Sequence, residues 1–380
     1  MLKRFFQFFT SLKLTVVCLG LATLLVFVGT IAQVEQGLYQ AQSRYFRSFF
    51  VYWSPTGADW GIPVFPGGYL IGGILTINLI ANYIRRYKFN WANIGLLTVH
   101  LGLVLLLVGQ LLTDMLSTES AMNLQLAETK NYSEDFFASE LVVADTTDQT
   151  AQVVSIPTSL LSSTSPVRLP QTPFDLQVRQ FWQNAELLEK QGSGAVESGA
   201  SEGVGKTLWV LGRPPTVKMD ERNVPAASVT LSDAGKPLGT WLVSGLLRPQ
   251  SFGHGGRSYE IAMRPKRHYA PYSLTLLDLR HDVYPGTEIP KNFSSRVRID
   301  NPASGENREV LIYMNSPLRY QGLTYYQYQM AASGPVKSST LQVVRNPSWL
   351  TPYLACLLVG AGLTWQFLAH LVGFLKQRVA

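Results

Sequence analysis

Cysteine is nearly absent from this 380-residue chain: Cys18 and Cys356 are the only two. Neither belongs to a C-x-x-C pair, which excludes thiol–disulfide shuttling and covalent attachment of a c-type haem to this chain. Both sit in long apolar runs, at very different helical depths at about 1.5 Å rise per residue, so a disulfide between them is not expected. Charge is the second shortage. Asp, Glu, Lys and Arg make up 15% of the residues, where a soluble protein carries about 25%. A phosphate-binding glycine loop is also missing. Gly203-Val-Gly-Lys-Thr207 has the end of the G-x-x-x-x-G-K-[ST] pattern, but Ala200 stands where its first glycine belongs. Carboxylates are scattered, so a membrane-embedded hydrolase is disfavoured and no stand-alone catalytic site is expected.

The net charge of +7 would suit a nucleic-acid partner if it were spread over a folded surface. It is not. Ser117–Ser348 holds 22 basic and 22 acidic residues and is neutral. The remainder holds ten basic residues and only Glu35, Asp59 and Asp114 as acids. The excess belongs to the hydrophobic segments and reports topology, with a lipid bilayer as the partner and no nucleic acid.

Four stretches carry no Asp, Glu, Lys or Arg: Leu14–Val34, Trp60–Ile84, Phe89–Thr113 and Asn346–Leu375. Each exceeds the roughly 20 residues that cross a hydrocarbon core, which predicts four transmembrane helices. Lys3, Arg4, Lys13, Arg85, Arg86, Lys88, Lys376 and Arg378 flank them on one side without acidic company. The positive-inside rule puts both termini in the cytoplasm and Ser117–Ser348 outside. A cleaved signal peptide is the competing reading of the first run, which is too long for one. Between the first two spans, Gly37–Trp53 puts Leu38, Tyr45, Phe49 and Trp53 near one helical face beside Arg44 and Arg47. This predicts a helix near 37–53, either in the outer headgroup layer or packed under the outer domain. The expected organisation is three transmembrane helices in 1–116, a β-rich extracytoplasmic domain in 117–348, and a fourth helix with a cytoplasmic tail in 349–380.

The outer region alternates apolar and polar residues in Phe174–Phe181, Tyr272–Arg280, Ser294–Asp300, Arg308–Tyr313 and Leu323–Met330. Turn residues at Asp233–Gly235, Asn301–Pro302, Gly305 and Gly322 separate them, which favours a sandwich or open barrel. Gln191–Gly205 is small and polar without aromatics and reads as a mobile surface loop.

Two of the five histidines, His100 and His370, fall inside predicted spans. An ionisable group in hydrocarbon is costly and usually faces a cavity, a partner or a ligand. His100 lies 12 residues beyond Lys88, roughly 18 Å along a helix and near mid-membrane. Gly95, Gly102 and Gly109 recur every seven residues around it, with room for something flat. A histidine that only hydrogen-bonds another helix is the competing reading. His370 lies six residues before Lys376, close to the inner boundary. His254, His268 and His281 are outside, share no metal-ligand spacing, and predict no zinc site.

Tyr284–Met330 carries a more specific pattern. Tyr284-Pro-Gly-Thr287 and Phe293-Ser-Ser295 are followed by Asn315-Ser-Pro-Leu318, Tyr320, Gly322, Tyr326 and Gln327. This resembles the signature of the ResB-like (CcsB) cytochrome c biogenesis family. The likeness extends to three N-terminal spans, a large outer domain, one C-terminal span and a histidine in the third span. The resemblance implies a subunit of the haem-delivery and ligation complex for c-type cytochromes in the bacterial plasma membrane, with the large domain periplasmic. Its partners would be a tryptophan-rich multi-span protein of the ResC or CcsA type and apocytochrome c. Haem b would be transient cargo. Any cytochrome c synthase activity would belong to the complex. The family's third-span histidine, an axial haem ligand, maps onto His100. His370 is a second ligand option within the chain, and a histidine of the partner is the other. The W-G-x-x-W-x-W-D motif of the partner is absent here, so no role carries over to His254, His268 or His281. A non-catalytic membrane scaffold or sensor whose outer β domain binds another protein is the alternative function.

The charge distribution makes a direct prediction. A reporter active only in the cytoplasm, fused after Gly199, should be inactive, whereas the same reporter fused after Arg86 should be active. Activity after Gly199 would invert the topology.

Overall fold

The computed structural model describes residues 2–54, 60–86, 91–148, 150–162, 165–216, 222–287, 290–332 and 335–379. Lys88 and Asp59, used in the charge argument above, lie outside the described residues. The chain forms two compact units. One is helical and comprises Met1–Thr118 and Arg345–Ala380; the other is β-rich and comprises Glu119–Thr216 and Asp220–Val344.

The helical unit contains α1 (Leu2–Phe9), α2 (Leu12–Gln36), α3 (Leu38–Ala41), α4 (Gly68–Arg86), α5 (Ile94–Leu116) and α6 (Thr351–Val379). Three helices are long and apolar enough to cross a membrane: Leu12–Gln36, Ile94–Leu116 and Thr351–Arg378. The second expected span differs from its sequence reading. Ile62–Pro66 is a strand paired with Phe50–Trp53, and α4 begins only at Gly68. Pro63 and Pro66 lack the N–H that a helix interior needs, which moves the start downstream. The remaining 19 residues include Asn78, Asn82 and Arg85, which lower the helix's apolarity. The segment near 37–53 is likewise not one helix. α3 passes into a π-turn at Gln42–Phe46, and the aromatic and β-branched Phe50–Trp53 forms the hairpin strand.

Two polar side chains of this unit, Asn78 and Asp114, each hold several partners. Asn78 is 1% exposed, accepts from Thr15 Oγ1 at 2.6 Å, and donates to the carbonyls of Phe9 and Ser11 at 2.7 and 3.1 Å. Those carbonyls flank the break between α1 and α2, whose helical hydrogen bonds are interrupted there, so Asn78 satisfies what the break exposes. Asp114 of α5 accepts from Arg47 Nε at 2.6 Å and from the Tyr69 hydroxyl of α4.

α5 and α6 meet through a seam of small residues. Gly95, Gly102 and Gly109 are the buried residues of α5. A Cβ on Gly95 would come within 2.6 Å of the Gly362 carbonyl oxygen. One on Gly102 would meet Val359 Cγ2 at 2.7 Å, and one on Gly109 would meet Thr351 Cγ2 at 2.2 Å. The heptad spacing of these glycines serves backbone approach between helices. It leaves no slot for a flat ring on that face, contrary to the sequence reading.

The two larger cores of the β unit are joined by two long strands, and Ala185, Val210, Ala226 and Leu242 form a smaller third cluster. Thr129–Asp145 and Arg257–Val283 pair from Asp145–Tyr259 through Ser139–Pro265, and again from Glu134–Arg267. The residues between, 135–138, bulge and bend the sheet. Beyond the bend on one side, Leu141, Val143, Ile261 and Met263 pack with Phe174, Leu176, Val229 and Trp241 of a four-stranded sheet. On the other, Leu274, Leu276, Val297, Ile299, Ile312, Tyr325 and Leu341 close a second core. The larger sheet has ten strands, with Glu306–Tyr313 and Leu318–Tyr320 at its two ends.

Gln191–Gly205 is packed, which corrects the mobile-loop reading. Ser198 is 3% exposed and donates to the Gly205 carbonyl at 2.6 Å, and the Ser201 and Glu202 amides donate to Thr240 O. Its small residues fit against Leu242 and Trp241, so backbone hydrogen bonds and close approach hold it where no aromatic side chain does. Cys18 and Cys356 are free.

The seam predicts a position-specific effect. Gly102→Leu should destabilise the helical unit by about 1–3 kcal/mol. Gly373→Leu, with nothing within 4 Å of the added Cβ, should not. Thermal melts in detergent read both; equal melting temperatures would refute the packing. In the β unit, Gln321 and Gly322 take φ of 46° and 78° in the two-residue turn between Tyr320 and Leu323. Gly322→Val should therefore cost about 1 kcal/mol or more and lower protease resistance.

Candidate functional site

His100 lies six residues into α5, roughly 9 Å from its start at 1.5 Å per residue. Its Nδ1 is 2.7 Å from the carbonyl oxygen of Leu96. A carbonyl only accepts, so the imidazole proton sits on Nδ1 and Nε2 keeps its lone pair. That is the tautomer a metal ligand needs, with the ring oriented by the helix's own backbone. The side chain is partly exposed, beside Leu96 and Leu101, which are each more than half exposed.

The backbone of the same residue, Leu96, also reaches across the seam. The Leu96 N–H, one of the four amides at the start of α5 without an intrahelical partner, donates to Gln366 Oε1 of α6 at 3.1 Å. The Gln366 side-chain amide then donates to His370 Nε2 at 2.9 Å. His370 thus spends its acceptor nitrogen on Gln366. Its position also separates it from His100. Gly102 faces Ala355 and Val359 while Gly95 faces Gly362 and Gln366. The level of His100 therefore falls between Val359 and Gly362, and His370 lies roughly 12 Å or more further along α6. His370 is therefore set apart from His100 along α6 and, unlike His100, has its Nε2 engaged by a side chain.

The other histidines are spread over the β unit. His254 Nε2 pairs with Asp233 Oδ2 at 2.8 Å, His268 Nε2 with Asp135 Oδ2 at 3.3 Å, and His281 lies edge-on to Phe293. Among the described residues, no group of three or more His, Cys, Asp or Glu side chains is placed to hold a metal ion. Gly199-Ala-Ser-Glu-Gly203 has the spacing of a nucleophile turn, a match the sequence reading passed over. It joins the two-residue strand Val196–Glu197 to the short 3-10 turn Gly203–Thr207 and not a core strand to an α-helix, and Ser201 Oγ accepts the Thr240 N–H at 2.9 Å.

The signature residues of Tyr284–Met330 divide into two sets. One set is buried and builds the second core. Ser295 and Ser339, both 0% exposed, share a hydrogen bond at 2.7 Å, and Gln327 Nε2 donates to Ser339 Oγ at 3.0 Å. Tyr320 accepts from Asn301 and donates to Glu306, and it packs edge-on to Tyr272. Tyr272 in turn bonds the fully buried Tyr325 at 2.8 Å. Burial pushes the phenols of Tyr272 and Tyr325 above the usual tyrosine range, so both keep their protons. Glu306 is held below the usual carboxylate range by the Tyr320 hydroxyl and by Arg308. The other set is at the surface: Tyr284, half exposed, starts the turn that Thr287 closes by donating to the Tyr284 carbonyl. The buried set is a folding signature. No run of alternating residues could have shown that Ser295, Ser339 and Gln327 meet, because they lie on different strands.

Comparison with known proteins meets the same stretch. Residues 247–348 match the family model described as the ResB-like family. The chain is also similar to protein NrfI of Wolinella succinogenes, with 30% identity over 111 residues, which are 29% of this chain and 12% of that protein. The aligned part is thus a small share of the relative's length. The part of this chain that is similar to the ResB-like family, residues 247–348, contains both halves of the signature.

Proposed function

We propose that this chain is a membrane subunit of a cytochrome c biogenesis complex and that it binds haem through His100 and presents it to apocytochrome c. Similarity to the ResB-like family over 247–348 supports the biogenesis role. The observation that carries the haem reading is His100 itself: an imidazole in a span, with Nδ1–H bound to Leu96 O and the Nε2 lone pair available. Haem is cargo in this reading, and the chain supplies orientation.

The seam directs where the ring lies. The glycine face of α5 is filled by α6, so an apolar macrocycle reaches Nε2 only from the partly exposed face beside Leu96 and Leu101. That face would be covered by a multi-span protein of the ResC or CcsA type, which would also provide the second axial ligand in place of His370. The four-span topology, with α4 crossing beside α2, both termini cytoplasmic and the β unit periplasmic, belongs to the same proposal. Asn78 supports α4 as a span, since all its polar atoms find partners within the unit.

Substituting His100→Gly should leave the fold intact, because it removes a costly polar group from a span. It should lower co-purifying haem and cytochrome c maturation together, and imidazole in the medium should restore part of both. A wild-type haem spectrum with normal maturation in His100→Gly would refute the assignment.

A further inference from the structure

One surface of the β unit is built differently from the rest. Three adjacent strands, Arg257–Val283, Pro290–Asn301 and Glu306–Tyr313, end the ten-stranded sheet. Their register sets Asp278 opposite Arg296 and Arg296 opposite Leu311; one row on, Arg280 faces Ser294 and Ser294 faces Tyr313. Side chains directly opposite share a face, so these residues line one side of the sheet. They enclose an open cleft of about 490 Å³. The opposite face carries Val297, Ile299 and Ile312 into the second core.

The chemistry of the cleft is asymmetric. Two guanidiniums share one carboxylate: Arg296 Nη2 lies 3.2 Å and Arg280 Nε 3.5 Å from Asp278 Oδ2. Asp282, the next acid along the strand, is engaged by Asn292 at 3.3 Å. Asp278 and Asp282 balance the two guanidiniums in charge, but each arginine keeps donors free of Asp278, since each uses only part of its five-donor fork. About half of each guanidinium side chain or more is exposed. Across two strand spacings, roughly 10 Å, lie Leu311 and Tyr313, about half exposed at the sheet's end strand. A surface gains nothing from holding apolar side chains open beside guanidinium donors that are left unfilled. A ligand with both characters does.

We propose that the Arg280–Arg296 cleft binds an amphipathic carboxylate, with its carboxylate on the guanidiniums and its apolar body over Leu311 and Tyr313. A porphyrin bearing propionates has this chemistry, as does a fatty acid. Porphyrin as the ligand rests on the haem reading above, whereas the carboxylate site itself does not. On the porphyrin assignment, the cleft is a station of the β unit that reads the propionate edge without touching iron.

Metal-free mesoporphyrin separates this site from His100, because it offers no iron to ligate. Its fluorescence would be titrated against the full chain in detergent, in parallel with its dimethyl ester and with laurate as competitor. The free acid should bind at least about tenfold tighter than the ester, the gain of a charge-assisted contact. That preference should vanish in Arg280→Gln/Arg296→Gln. Both arginines are exposed, so the variant should fold, as a melt unchanged from wild type would verify. Leu311→Glu, which places a second carboxylate in the cleft, should weaken the acid and spare the ester. Displacement by laurate at similar affinity would support the carboxylate site and assign it to lipid. Equal binding of acid and ester, or a preference that survives the double substitution, would overturn the proposal. His100→Gly should leave this titration unchanged, so failure of the haem reading and failure of the cleft are told apart.

Discussion

The close approach of α5 and α6 is the contact on which the helical unit's arrangement depends. Gly95, Gly102 and Gly362 bring the two backbones near enough for carbonyl oxygens to sit where side chains would be. Between apolar helices in a bilayer there is little hydrophobic driving force, so van der Waals contact along such a seam does the holding. Two consequences follow for chemistry. Gln366 comes within hydrogen-bond reach of the Leu96 N–H, which ties off a helix-start amide that would otherwise be unpaired in hydrocarbon. The seam also occupies one side of α5 completely, which leaves His100 only the side beside Leu96 and Leu101 on which to meet a ligand.

The Leu96 backbone links the two intramembrane histidines and gives them different states. Its carbonyl takes the His100 Nδ1 proton and its N–H meets Gln366, whose amide fills His370 Nε2. One imidazole keeps a basic nitrogen free and the other does not. Residue type alone assigns both histidines the same cost and the same suspicion. Their hydrogen-bond partners tell them apart: the ring of His100 bonds a backbone carbonyl and that of His370 a side-chain amide.

Much of this was legible in the chain. Missing charge located the apolar helices, and alternation located five strands, since each signal depends on local periodicity. Where the reading failed, the cause was a neighbour distant in sequence. The start of α4 moved because Ile62–Pro66 pairs with Phe50–Trp53. The glycine heptad was read as room for a ring because α6, some 250 residues away, was not yet set against it. Gln191–Gly205 has the composition of a free loop but packs on Leu242 and Trp241. In the signature stretch, spacing carried the resemblance and contact gave the reason: Ser295, Gln327, Tyr320 and Tyr325, with Ser339 beyond it, tie four strands around one core. Arg296 of the same segment stays exposed, and the proposed carboxylate cleft uses it together with Arg280 just upstream.

The decisive quantity is the identity of the axial ligand. The His100→Cys variant, co-expressed with a protein of the ResC or CcsA type and purified with haem, should give a ferrous–CO spectrum of the thiolate type, because the axial ligand governs the electronic state of haem iron. An imidazole-type spectrum unchanged from wild type would place the ligand elsewhere and leave His100 a structural residue of α5.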